Sequence, residues 1–219
     1  MGASSPARAA TAQRPMRADA RRNYERLVAE AAAAFAERGA DDVSLEEIAR
    51  RAGVGIGTLY RHFPTRQSLL ESVYREQVQA LTRRAGELLT SESPDVALTQ
   101  WLAALAQFGS TKKSLSAALL ATLSKESELF SSCGQLMRES TTSLLVRAQE
   151  AGLARPDVQG PDVLRLVHGM MLACESTPGD PDQAARLLSM VVAGLLTEPA
   201  KPAGPAEPAG PPQPAVTGG

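Results

Sequence analysis

The sequence predicts an all-α protein, and three observations carry that prediction. Alanine occurs 37 times while aromatic residues make up only 4% of the chain, a balance that favours helices over sheets. No stretch alternates apolar and polar residues with the period of two that a half-buried strand needs. Apolar residues instead recur at i, i+3, i+4 and i+7 in successive segments punctuated by Gly, Pro and Ser/Thr/Asp caps. With 219 residues and 43% hydrophobic content, the chain is long enough for one or two small domains with a real core.

The first helical pattern runs from about Arg21 to Arg38, with Tyr24, Leu27, Val28, Ala31 and Phe35 on one face and Gly39 at the terminating position. Ser44 and Glu47 form a capping-box signature opening a helix with Leu45, Ile48, Ala49 and Ala52 inward, which Gly53 ends. After Val54 and Gly55, a third short helix places Ile56, Leu59, Tyr60 and Phe63 at i, i+3, i+4 and i+7 before Pro64 stops it. Thr65 can cap a long helix over about 66–91, and further patterns cover about 95–109, 112–124, 127–151, 161–175 and 181–197.

Both ends differ from this body. Residues 1–20 read as a disordered basic arm, and 198–219 as a disordered tail, since residues 197–219 contain seven prolines and four glycines. The acid-poor start also has features of an organelle transit peptide, but a basic tail explains it more simply. Apolar runs end at six residues (Ala31–Ala36, Trp101–Ala106), too short for a membrane span, and no apolar segment follows Met1 as a secretory signal would require, so a cytoplasmic protein is expected. Cys133 and Cys174 are isolated, which suggests neither a disulfide framework nor a zinc site, and no cofactor is implied. Unpaired helical cysteines are usually buried and inert, so a redox role is the lesser reading of both.

The net charge of −1 conceals an asymmetry. Residues 1–70 hold 11 Lys/Arg against 8 Asp/Glu, a net of +3, and the remainder carries −4. Arginines 8, 14, 17, 21 and 22 face only Asp19 at the very front, as expected of an arm that could lie along phosphates.

Residues 44–63, SLEEIARRAGVGIGTLYRHF, read as a helix-turn-helix whose second helix is slim at its start and polar afterwards. A helix entering a major groove about 12 Å wide needs a narrow leading turn, which Gly55 and Gly57 provide. Thr58 can offer its hydroxyl or methyl to a base edge; Tyr60 and His62 can donate to phosphates, and Arg61 can reach phosphate or guanine. Thr65 and Arg66 open the next helix, and Ser44 opens an earlier one, where free N–H groups suit a phosphate.

The run from Arg22 to Tyr74 resembles the N-terminal DNA-binding domain of the TetR family of bacterial repressors. The resemblance lies in Phe35 and Gly39 at the end of the first helix, the core Ser44, Ile48, Ala49, Ala52, Gly53 and Val54, the Gly-Thr-Leu-Tyr-x-His-Phe segment from Gly57 to Phe63, and Arg66 with Leu69. It implies DNA contacts at Ser44, Gly57, Thr58, Tyr60, His62 and Arg66, and core roles for Leu59 and Phe63. Gly55 departs from the usual Ser or Thr cap, and Arg66 replaces the usual lysine.

The same resemblance implies a two-domain protein: a three-helix DNA-binding domain over 21–66 and a helical ligand-binding and dimerisation domain over 67–197. Trp101, Phe108, Phe130, Met137, Met170 and Met171 are candidate pocket residues, although large apolar side chains at helical spacing are more often plain core. His168, on an otherwise apolar helix, reads more simply as a core or interface histidine than as a ligand contact. Val163, Val167, Met170 and Cys174, with Leu187, Leu188, Val191, Val192, Leu195 and Leu196, give the last two helices faces broad enough for a two-fold four-helix interface.

The resulting expectation is a homodimeric, ligand-responsive repressor of a palindromic DNA operator, with a hydrophobic or aromatic small-molecule effector and no membrane partner. An all-α enzyme is the alternative from another class, but only His62 and His168 are present and HExxH, GxSxG and GxxxxGK[ST] are missing. A helical protein-binding adaptor is the third.

Overall fold

The computed structural model describes residues 7–111, 113–124, 127–175, 180 and 182–197. Among them, nine α-helices follow one another: α1 (Ala7–Arg38), α2 (Leu45–Arg51), α3 (Ile56–His62), α4 (Arg66–Ser91), α5 (Pro94–Thr111), α6 (Lys113–Leu120), α7 (Glu128–Glu150), α8 (Gly160–Glu175) and α9 (Gln183–Leu195). The all-α class stands.

Glycine sets three of the helix ends. Gly39, Gly53 and Gly152 have φ of 91°, 63° and 70°, the left-handed region in which a side chain is strained, and each lies one or two residues beyond a helix. At Gly53 the constraint is doubled, because an added Cβ would come within 2.7 Å of the Arg26 guanidinium.

One end differs from the sequence expectation. The disordered arm expected over 1–20 is helical from Ala7 onward, so α1 begins about fourteen residues before the expected Arg21. Once the amphipathic part of α1 is nucleated, Ala, Arg and Gln extend it at one hydrogen bond per residue, and this continues through Pro15, which lacks one donor. The proline-rich tail expected over 198–219 lies outside the described residues.

Two hydrophobic clusters organise the molecule. The first joins α1, α2 and α3 to the first half of α4 (Leu69, Leu70, Val73, Tyr74, Val78), and takes in Leu115 and Leu119 of α6 with Leu129 and Cys133 of α7. The second begins at Leu81 and collects the rest of α4 with α5, α7, α8 and α9. The packing therefore divides inside α4, between Val78 and Leu81, rather than after residue 66. Helix α4 is a strut shared by both halves, and Arg147 of α7 fixes its far end by donating to the carbonyls of Leu88 (3.2 Å) and Glu92 (2.6 Å).

Trp101 is fully buried in the second cluster, and its Nε1 donates to Thr141 Oγ1 at 3.0 Å; Thr141 in turn donates to the Met137 carbonyl at 2.8 Å. A buried indole must find such an acceptor, and this pair fixes α5 against α7. After α9, the chain returns to the α7–α8 turn: the Arg155 N–H donates to the Leu195 carbonyl (2.9 Å) and the Thr197 N–H to that of Leu153 (3.1 Å).

Candidate nucleic-acid interface and effector cavity

Helix α3 offers its outer face. Leu59 and Phe63 are buried, anchoring the helix on the head, whereas Ile56 and Tyr60 are 38% and 46% exposed. The i, i+3, i+4, i+7 spacing thus overstates the inward face, because a helix of seven residues on a small head buries only a narrow stripe. Arg61 is also exposed, and Thr58 and His62 are partly so. The His62 ring lies edge-on to Tyr24 of α1, with centroids 6.1 Å apart, which orients it at the end of the helix.

Gly55 caps α3 in an extended conformation without a side-chain hydrogen bond, and Gly57 is inside its first turn. A Cβ built on either meets no atom within 4 Å, and neither has a positive φ. Nothing inside the molecule requires glycine at these positions, while glycine in a helix costs roughly 0.5–1 kcal/mol relative to alanine. The narrowness of this turn is therefore directed outward.

The two flanking helix starts are well formed. Ser44 Oγ accepts from the Glu47 N–H at 3.1 Å. The reciprocal half of the expected capping box is replaced, because the Glu47 carboxylate pairs with Arg38 of α1. At α4, Thr65 Oγ1 accepts from the Ser68 N–H (3.1 Å) and the Thr65 N–H donates to Ser68 Oγ (3.3 Å), a complete capping box. Thr65 is exposed, so the start of this long helix is open to an anion.

Arg66 has a different task from the phosphate contact expected of it. Its guanidinium turns inward, donating to the carbonyls of Val43 (2.7 Å) and Ala40 and lying 5.9 Å over the Phe35 ring. It ties the α1–α2 loop to the start of α4, and the planar fork of arginine makes two such bonds where lysine would be a point charge.

Other head arginines are engaged in the same way. Arg26 donates to the Ala52 carbonyl, Arg38 pairs with Glu47, and Arg51 bridges Glu37 in two hydrogen bonds (2.7 and 2.9 Å) and Glu30 in a third (3.3 Å). Arg51 holds the Glu37 carboxyl below the usual carboxylate range, and Arg38 does so for Glu47. The front-loaded positive charge still sets the sign of the surrounding field, but much of it is structural. Among the described residues, Arg50 and Arg61 are the head arginines between Arg21 and Arg66 with neither an ion pair nor a side-chain hydrogen bond.

In the other half, a cavity of about 620 Å³ opens among α5, α6, α7 and α8. Phe108, Met137 and Met171, three of the six apolar candidates, line it together with His168. Trp101 does not, being held in the core by Thr141, and neither does Phe130, which packs edge-on against Tyr74 with centroids 5.5 Å apart. Met170 is buried in the second cluster. His168 is exposed at the cavity wall and is not a core histidine. Sequence reasoning missed Ser116, Gly134, Arg138 and Arg165 as lining residues, because small or polar residues on a helix carry no signal of which side faces a void.

Cys133 is buried beside Tyr74, whose phenol is pushed up to about 12, first by burial and then by Cys133. On α8 and α9, Val163, Val167, Met170 and Leu195 are buried within the protomer. The exposed apolar side chains there are Leu166 (50%), Leu172 and Met190 (66%), beside Gly169 and Gly194, where an added Cβ would meet nothing. Among the described residues, no helix is long and apolar enough to cross a membrane.

Comparison with known proteins agrees with this layout. Residues 27–73 match the family model of bacterial regulatory proteins of the tetR family, and residues 93–197 match the C-terminal domain of SbtR-like transcriptional regulators. The second match covers the half in which sequence reading found no motif. An HTH-type transcriptional regulator of Staphylococcus aureus is 43% identical over 54 residues, which is 25% of this chain and only 29% of that protein's length. The crystal structure of the TetR transcriptional regulator SCO0520 from Streptomyces coelicolor is 35% identical, with a TM-score of 0.67 over 79% of this chain and 98% of that one. A TetR regulatory protein from Mycobacterium vanbaalenii is 32% identical, with a TM-score of 0.68 over 84% and 100% of the two chains. Both solved relatives align over almost their whole length at more than 30% identity, which extends beyond the fold, and the chain belongs to the TetR family of bacterial transcriptional regulators.

Proposed function

We propose that the protein is a homodimeric, ligand-responsive repressor that inserts two copies of α3 into successive major grooves of a palindromic operator, about one helical turn apart. The observation that carries this reading is the outward-directed slimness of α3: Gly57, inside the helix, has no internal justification, and with Gly55 it sits beside the exposed Tyr60 and Arg61 and the half-exposed Thr58. In this reading Thr58 meets base edges, while Tyr60, Arg61 and His62 reach phosphates or a guanine edge. The open starts of α2 and α4, at Ser44 and Thr65, receive the flanking phosphates.

Dimerisation uses the outer faces of α8 and α9, where Leu166, Leu172 and Met190 would leave water and the bare backbone at Gly169 and Gly194 allows close helix approach. The cavity takes a small hydrophobic effector. Helix α6 is the means of coupling: Ser116, Ala117 and Leu120 line the cavity, while Leu115 and Leu119 of the same two turns are buried in the head cluster. An occupant that displaces α6 shifts its contacts with α1 and α4, and so the separation of the two heads.

The test is the double variant Thr58→Ala, Tyr60→Phe in a gel shift with the gene's own upstream DNA. Both side chains are exposed or half-exposed, so helicity and dimerisation should be unchanged while operator binding is lost. Retention of wild-type affinity would refute the assignment of α3 as the reading helix.

A further inference from the structure

Resting on the reading of the cavity as an effector site, we propose that its ligand is an anionic amphiphile: an apolar body carrying one acidic head group, held by Arg138 and Ser116.

Arg138 is on the cavity wall, and its Nη2 donates to the neutral amide oxygen of Gln135 at 2.8 Å. Among the described residues it has no ion pair, unlike Arg165, which also lines the cavity and pairs with Asp162 at 2.8 Å. Gly134, one turn before Arg138 and also on the wall, explains how the guanidinium reaches this place. A Cβ at 134 would lie 3.3 Å from Arg138 Nη1, so the missing side chain leaves the guanidinium room to fold back along α7. Glycine in the interior of a 23-residue helix is otherwise unfavourable.

The second, independent observation is Ser116 on the facing helix α6. Its Oγ is shielded from solvent, yet it has no hydrogen-bond partner, and the residue lines the same cavity. A buried hydroxyl without a partner is costly, and a ligand oxygen would satisfy it. An acid head fits both groups, accepting charge-assisted hydrogen bonds from Arg138 and an ordinary one from Ser116. A cationic ligand would meet Arg138 and Arg165 against the single acid Glu175 among the lining residues. The walls supplied by Leu105, Phe108 and Met137 accommodate the apolar body.

Isothermal titration of the full-length protein with decanoate, decyl phosphate, 1-decanol and decyltrimethylammonium, all below their micellar concentrations, tests this. Each anion should bind at least tenfold more tightly than the alcohol or the cation, and the tighter of the two anions identifies the head group. Arg138→Gln should remove that preference by weakening both anions at least tenfold, and Ala117→Trp, which fills the cavity from an exposed position, should weaken every ligand. Gly134→Ala should lower the preference while raising the melting temperature. Equal or tighter binding of decanol or the cation, a preference that survives Arg138→Gln, or no binding at all would overturn the proposal. Anion binding with the expected pattern that leaves the protein–operator complex intact would uphold the anionic site and refute the effector reading instead.

Discussion

Gly57→Ala separates the two demands on the recognition helix by moving them in opposite directions. In the folded protein the new methyl meets nothing within 4 Å, and the backbone there is already helical. Removing the entropic cost of glycine should stabilise the protein by roughly 0.5–1 kcal/mol, raising Tm by about 1–4 °C for a domain of this size. In the proposed complex the same methyl would project from the leading turn into the groove. Overpacking a close contact costs about 1–3 kcal/mol, and a two-fold dimer meets that cost at both half-sites, so even the lower bound gives about 2 kcal/mol and a ~30-fold loss of operator affinity. Thermal melts and fluorescence anisotropy with a labelled operator measure the two effects on one preparation. A variant that is stabilised and binds as tightly as wild type would refute the inference that this glycine serves an external surface. A destabilised variant would contradict the open space seen around it.

Further outcomes follow from the same contacts. Arg66→Ala removes two charge-assisted hydrogen bonds, to Val43 and Ala40, and should destabilise the fold by about 2–4 kcal/mol in denaturant titration; unchanged stability with weakened DNA binding would instead assign Arg66 to phosphate. Because Glu37 and Glu47 have depressed pKa values, the unfolded chain takes up their protons first, so their stabilisation is complete above the ordinary carboxylate range and is lost as pH falls below it. Melting temperature should therefore drop below about pH 4.5, and Glu37→Gln with Glu47→Gln should flatten that drop; identical acid profiles for variant and wild type would contradict it. Leu166→Glu with Met190→Glu places charge on the exposed α8 and α9 faces and should shift the protein to monomers in sedimentation velocity at unchanged helicity; an unchanged dimer would place the interface elsewhere.

The parts legible in the sequence are those governed by local chemistry. Gly39, Gly53 and Gly152 could be read as helix ends because only glycine relieves a left-handed backbone, and Ser44 and Thr65 as helix starts because a hydroxyl satisfies a nearby amide. What was not legible depends on partners distant in the chain. Arg66 reads as a cation next to a helix start, and only the fold brings the carbonyls of Ala40 and Val43, 26 and 23 residues away, to its guanidinium. Trp101 and Phe108 lie two turns apart on one helix and look equally suited to a pocket, but Thr141 holds the first in the core, while the second reaches the cavity. The periodicity of α8 identified Val163, Val167 and Met170 correctly as an apolar face, yet could not tell that α5 and α7 already cover it and that Leu166 and Leu172 remain outside.

The central claim, that the outer face of α3 makes this chain a sequence-specific DNA-binding dimer, is tested most directly by the salt dependence of its affinity for its own upstream region compared with shuffled DNA of the same composition. The dimer should bind the upstream region on the order of 10³-fold or more tighter than shuffled DNA, with both affinities falling linearly in log–log with salt. Equal affinity for the two DNAs, or no dependence on salt, would contradict it.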